Sequence, residues 1–130
     1  MFPFRRLVVW QRAHALAATA YRTRATPATA PVMIQLRRAL GSVSANIVEG
    51  AGSASHAQFA RYLGLALASA HEAESHLLLG RDAEVIAAER ADAMLSELEQ
   101  VKAMLTVLRN RVSQEARAGR RPKVDAPRGS

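Results

Sequence analysis

The chain contains no cysteine, which excludes disulfides, zinc–thiolate sites, iron–sulfur clusters and cysteine nucleophiles. Aromatic residues are scarce: Trp10, Tyr21, Tyr62, Phe2, Phe4 and Phe59 are the whole set. That is too few for the stacking platforms of single-strand nucleic-acid readers. Long apolar runs are missing as well. Arg5-Arg6 precedes the patch Leu7-Val8-Val9-Trp10, but a secretory core needs about 7–15 apolar residues. The uncharged stretch from Tyr62 to Ala70 falls well short of the roughly 20 residues that span a bilayer. These shortages predict a cytoplasmic chain with no membrane partner.

What is present is apolar and helix-forming. Hydrophobic residues make up 49% of 130 residues, carried mainly by Ala, Leu and Val. Ala and Leu favour helices, whereas strands prefer β-branched and aromatic residues. One domain of this length can bury a core.

Four apolar seams follow in order. Val9, Ala13, Leu16 and Ala20 step by helical spacing between about Leu7 and Arg24, with Trp10, Ala17 and Tyr21 widening the face. Pro27 and Pro31 break this helix, and Pro31 suits the first turn of the next. Met33, Leu36, Leu40, Val43 and Ile47 form the second seam, which Gly50 and Gly52 are expected to end. Ser55-His56-Ala57-Gln58 reads as a capping box opening a third helix along Leu63, Ala66, Ala70, Ala73 and Leu77, with Gly80 as its stop. Met94, Leu98, Val101, Leu105, Leu108 and Val112 mark the fourth, beginning near Asp82 or Ala87. Short links between four such helices predict an all-α, antiparallel, up-down-up-down four-helix bundle over residues 1–112.

The remainder, 113–130, holds Gly119, Pro122, Pro127 and Gly129 and shows no periodicity, so a disordered basic tail is expected. The net charge of +7 is split unevenly. Residues 1–112 carry 13 Lys/Arg against 9 Asp/Glu, and the last 18 carry 5 against 2.

The third helix is unusual. Phe59 to Ala70 reads FARYLGLALASA with Arg61 as its sole charge. Leu63, Leu65 and Leu67 lie about 200° apart for neighbours two positions apart, so they cannot share one core face. Leu65 and Leu67 are therefore candidate oligomer-interface residues, because exposed apolar patches mark interfaces. The alternative is an alanine-rich helix whose outer face is simply wet.

Motifs for chemistry are thin. His71 and His76 stand five apart, not the four of a helical metal pair, and Glu72–His76 has no second copy elsewhere in the chain. Gly50-Ala51-Gly52 is too short for a phosphate loop and lacks its lysine. No catalytic, metal-ligating or cofactor-binding residue is expected, and no cofactor. A polar stripe does run beside the second seam through Gln35, Arg38, Ser42, Asn46 and Glu49. It reads as a solvated face, a ligand contact, or a hydrogen-bond network in which Arg38 pairs with Glu72 or Glu49.

At these residues the sequence resembles a known family. Leu7-Val8-Val9-Trp10-Gln11-Arg12-Ala13, Gln35-Leu36-Arg37-Arg38-Ala39, Ser44-Ala45-Asn46-Ile47-Val48-Glu49-Gly50, and Ser55 with Phe59 and Tyr62-Leu63 are similar to the 23S rRNA intervening-sequence ("four helix bundle") proteins. The resemblance implies a bundle assembled as a homopentameric ring. It also implies a distant relationship to the accessory protein of diversity-generating retroelements, a basic pentamer that binds nucleic acid and a reverse transcriptase. The turn Ala51-Gly52-Ser53-Ala54 lacks the basic residue usual there, so any phosphate contact must come from elsewhere. The implied function is a non-enzymatic, self-associating scaffold with RNA or DNA as partner. The alternative is a protein-interaction scaffold or reverse-transcriptase accessory factor with no nucleic-acid binding of its own. Candidate phosphate contacts are Arg37, Arg109, Arg111, Arg117, Arg120, Arg121 and Lys123.

Overall fold

In the computed structural model, which describes residues 2–120, a single 3-10 turn (Phe4–Arg6) leads into four helices: α1 (Val8–Arg22), α2 (Ala30–Ala51), α3 (His56–Asp82) and α4 (Ala88–Arg120). The seams read from the sequence are the buried seams. Leu36, Ile47, Leu63, Ala66, Ala70, Ala73, Leu77, Val101 and Leu105 are all fully inaccessible to solvent. Among the described residues every fully buried core side chain is apolar, so the interior is held chiefly by apolar burial, with the Ser44 Oγ and His76 Nε2 atoms covered at its margin.

Cross-helix contacts fix the topology. Arg81 reaches Asp92, Glu74 meets Lys102, and His56 meets Glu115, so α3 and α4 run antiparallel. Ser42 bonds Ser69 while Gly50 packs on Phe59, which sets α2 against α3 in the same way. Arg37 reaches back to Ala20 and Thr23 on α1, and Arg90 on α4 reaches Thr23. Each helix therefore touches two neighbours, with α1/α3 and α2/α4 across the diagonals.

Local chemistry explains most helix ends. Pro31 occupies the first turn of α2, where no intrahelical N–H bond is lost. The Ser55 side chain accepts the Gln58 backbone N–H at 3.1 Å and caps α3; the return bond from the Gln58 side chain expected of a full capping box is not formed among the described residues. Between α3 and α4 the backbone of Glu84 takes φ 60°, the left-handed region. The Gly80 carbonyl there accepts both Val85 and Ile86 N–H groups at 2.9 and 3.0 Å.

Several expectations are corrected. Gly50 and Gly80 do not end their helices. Both are buried inside them, where a Cβ would stand 2.8 Å from the Phe59 ring at Gly50 and 2.5 Å from Ile86 at Gly80. These glycines let a bulky side chain seat against the helix backbone. Tyr21 does not widen the core face but is 62% exposed. α1 packs through Ala13, Ala17 and Ala20, and helices that approach this closely leave no room for a phenol ring.

Residues 113–120, expected to lie in the tail, are helical, because α4 runs on to Arg120. Ser113 to Ala118 contains no Pro or Gly and is rich in Gln, Glu, Ala and Arg, which favour helix. Val112 is buried, and Glu115 is tied to His56 at 3.0 Å. Because His56 opens α3, α4 overhangs that end of the bundle by five residues, about 7–8 Å at 1.5 Å per residue. Residues 121–130 lie outside the described residues.

Candidate functional site

The polar stripe of α2 divides in the folded chain. Ser42 Oγ and Ser69 Oγ meet at 2.8 Å, and Asn46 Nδ2 donates to the Ser42 carbonyl at 2.9 Å and to its Oγ at 3.2 Å. This three-residue network bridges α2 to α3. Asn46 belongs to it, and Ser69 is a member that sequence reasoning missed. Gln35, Arg38 and Glu49 are exposed and form no side-chain bond among the described residues. The expected Arg38 pairing with Glu72 or Glu49 is thus not formed. Arg38 instead lines an open groove of about 660 Å³ with Tyr21, Ile34, Arg37, Gly41 and Ala45, on the α1 side of α2. Glu72 lies 3.6 Å from His76 on its own helix.

The two leucines of α3 separate as their angles require. Leu65 points outward and is 41% exposed. Leu67 is half-buried and packs against the core, because it shares a face with fully buried Leu63 one turn earlier. Leu67 thus contributes to the bundle's own packing, and Leu65 is the more exposed of the two.

Arg37 is committed within the chain. Its Nε donates to the Ala20 carbonyl at 3.1 Å and its Nη2 to the Thr23 carbonyl at 2.7 Å. These are last-turn acceptors of α1, and the same guanidinium lies 5.8 Å from the Tyr21 ring centroid. The other described candidates cluster on α4. Arg109 lays its guanidinium over Gly64, 3.3–3.4 Å from where a Cβ would stand. Gly64 thus accommodates an arginine of the same chain. Arg111 rims two apolar hollows, one with Phe2, Phe59 and Val112 and the other with Val8, Met104 and Val107. Arg117 is exposed on the last turns, and Arg120 ends α4. Arg121 and Lys123 lie outside the described residues.

Charged pairs are concentrated in the other half of the bundle. Lys102 is mostly covered and reaches Glu74 at 2.9 Å and Glu99 at 3.1 Å. The hydrogen bond to Glu74 holds its ammonium above the usual lysine pKa, against burial, which works the other way. Arg12 meets Glu97, and Arg81 meets Asp92 and Asp82. Both guanidiniums are held above their ordinary pKa, chiefly by the hydrogen bonds they donate to Glu97 and Asp92.

Three arginines absent from the sequence candidates complete the α4 cluster. Arg5, Arg6 and Arg61 are exposed at the same end of the bundle as Arg111 and Arg117. They are far apart in sequence. The signal that could have found them is topological: an up-down-up-down bundle brings the start of α1, the α2–α3 turn and the end of α4 together.

The described residues thus form a four-helix bundle with an apolar core, one polar bridge between α2 and α3 and a basic end. The chain belongs to the 23S rRNA-intervening sequence protein family, whose model matches residues 5–107. It is similar to a crystal structure from Bacteroides thetaiotaomicron, described as a protein of unknown function from the S23 ribosomal protein family. That similarity has a TM-score of 0.68 and 23% identity, over 78% of this chain and 97% of the other. No curated protein matches the chain. Among the described residues no helix is long and apolar enough to cross a membrane.

Proposed function

We propose that this chain is a non-enzymatic, cytoplasmic subunit that assembles head-to-tail into a ring. One observation carries the reading: two outer sides of the bundle are apolar and opposite in charge. On the α1/α2 side Tyr21 and Ile34 are 62% and 51% exposed, beside Gly41, where a Cβ would meet nothing. Arg22, Arg24, Arg37 and Arg38 belong to this stretch, and residues 12–42 hold no carboxylate, while Arg12 turns to Glu97 of α4. On the outer face of α3 Leu65 and Leu79 are exposed. Residues 69–102 there carry eight carboxylates against Arg81, Arg90 and Lys102. Two different, complementary faces on one subunit make a heterologous contact, which closes into a ring when the rotation allows. A glycine with open space above it in mid-helix costs about 1 kcal/mol against alanine, and close approach of a neighbouring helix accounts for it.

The family resemblance puts the ring size at five. Light scattering on purified protein is expected to give a mass near five subunits, and Leu65→Glu and Ile34→Glu each to reduce it to one. A clean wild-type monomer overturns the reading. Unchanged mass in both variants overturns these two faces.

A second reading, association with nucleic acid, draws on the net charge of +7. Multiplied in an assembly, that charge attracts phosphates through counterion release without reading sequence. Retention on duplex DNA or RNA at low salt is expected. Its absence favours a scaffold for proteins alone, including the role of reverse-transcriptase accessory factor.

A further inference from the structure

The net charge of the described chain resides entirely at one end. Residues 2–11, 43–68 and 103–120 meet where the start of α1, the α2–α3 turn and the overhang of α4 come together. They carry Arg5, Arg6, Arg61, Arg109, Arg111, Arg117 and Arg120 against only Glu49 and Glu115. The opposite half, residues 12–42 and 69–102, carries eight cations and eight carboxylates and is neutral. Pairing follows the same division. Every arginine or lysine ion pair among the described residues (Arg12–Glu97, Arg81 with Asp82 and Asp92, Lys102 with Glu74 and Glu99) lies in the neutral half. At the basic end Glu115 is occupied by His56, and exposed Arg5, Arg6, Arg61, Arg111 and Arg117 have no carboxylate partner.

We propose that this basic end, centred on the last turns of α4, is a docking surface for the phosphate backbone of double-stranded nucleic acid. The proposal rests on the nucleic-acid reading above and gives it a place on the molecule. Seven like charges gathered at one end against two carboxylates repel one another, and an external polyanion offsets that repulsion. All seven cations are arginines, whose planar fork engages phosphate oxygens in pairs. They are spread over several elements: Arg109, Arg111 and Arg117 stand on α4, Arg5 precedes neighbouring α1, and Arg61 lies over Tyr62, which packs against Gly50 of α2. Arg117 stands exposed on the overhang. Such an arrangement straddles a rod of phosphates better than it meets a flat lipid surface. Among the described residues Tyr62 is the aromatic ring that lies face-on to one of these arginines, 5.7 Å from Arg61. Without stacking platforms, the surface reads backbone and not base.

The test is fluorescence anisotropy of labelled 30-base-pair DNA and RNA duplexes, titrated with the full chain between 50 and 200 mM salt. Two triple variants remove the same charge from different ends. Arg61→Gln/Arg111→Gln/Arg117→Gln acts at the basic end and Arg24→Gln/Arg81→Gln/Arg90→Gln at the neutral end. Light scattering and thermal melts check that both keep the wild-type mass and fold. The basic-end variant is expected to lose at least about tenfold in affinity at 100 mM salt and to flatten the salt slope by about 3. The neutral-end variant should change affinity less than about twofold. Equal loss in the two variants overturns the location. Failure of the wild type to bind at 50 mM salt overturns the nucleic-acid reading itself. Tighter binding to phosphatidylserine vesicles than to either duplex overturns the choice of partner.

Discussion

The two ends of the bundle are built alike and charged differently. Each carries a buried glycine against which a bulky side chain sits, Phe59 on Gly50 at the basic end and Ile86 on Gly80 at the neutral end. Each has fully buried core residues, such as Ile47 and Leu63 toward one end and Leu36 and Leu77 toward the other. Only the neutral end adds charge pairing to this packing. Comparison of the two separates what folds the chain from what decorates it, because the basic end closes as tightly without a single arginine–carboxylate pair among the described residues.

Core truncation probes this most severely. Leu63→Ala and Leu77→Ala are expected to cost about 2–5 kcal/mol each, measured by urea denaturation. A loss at Leu63 well below that at Leu77 would break the symmetry between the ends. Next come the glycines. At Gly50 an added methyl meets the Phe59 ring and, at 3.0 Å, the Tyr62 Cβ, which is fixed to the backbone. Gly50→Ala should therefore cost about 1–3 kcal/mol. At Gly80 the nearest atom is the flexible tip of Ile86, and the gain in helix propensity offsets about 1 kcal/mol. Gly80→Ala is expected to be milder, and Gly80→Ala/Ile86→Val milder still, by melting temperature.

Charge changes are smaller. Lys102→Gln should cost about 0.5–1 kcal/mol at neutral pH. The sign of its pH dependence follows from a raised pKa. The contribution is complete below the lysine's unfolded-state pKa and disappears as pH climbs through the higher folded-state value, so wild type and variant should converge at strongly alkaline pH. Smallest of all, Arg5→Gln or Arg111→Gln at the basic end should shift stability by no more than about 0.5 kcal/mol. A loss above 1 kcal/mol in either would show that the basic end serves folding after all.

The same division separates what could be read from the sequence and what could not. The four seams were legible because burial imposes a helical period on Val9 to Ala20, Met33 to Ile47, Leu63 to Leu77 and Met94 to Val112. The cap at Ser55 was legible because it is local. Errors arose where a residue's partner comes from another helix. Gly50 and Gly80 looked like terminators because Phe59 and Ile86 were not in view, and Arg37 looked free because the carbonyls it serves belong to α1. Residues 113–120 were assigned to the tail because the glycines and prolines beyond Ala118 coloured the whole segment. The grouping of Arg5, Arg6 and Arg61 with the end of α4 required the topology before the charges could be added together.

Arg37 also bears on how the chain can be altered. α1 closes at Thr23 in extended backbone without a glycine cap, and its last carbonyls are held by a side chain of α2. The fastening between these two helices is thus a clasp across their sides and does not depend on the segment that joins them. Lengthening a loop costs only about 0.6 kcal/mol for each doubling, so residues 24–28 are a site where a flexible insert or an affinity tag can be spliced without loosening α1.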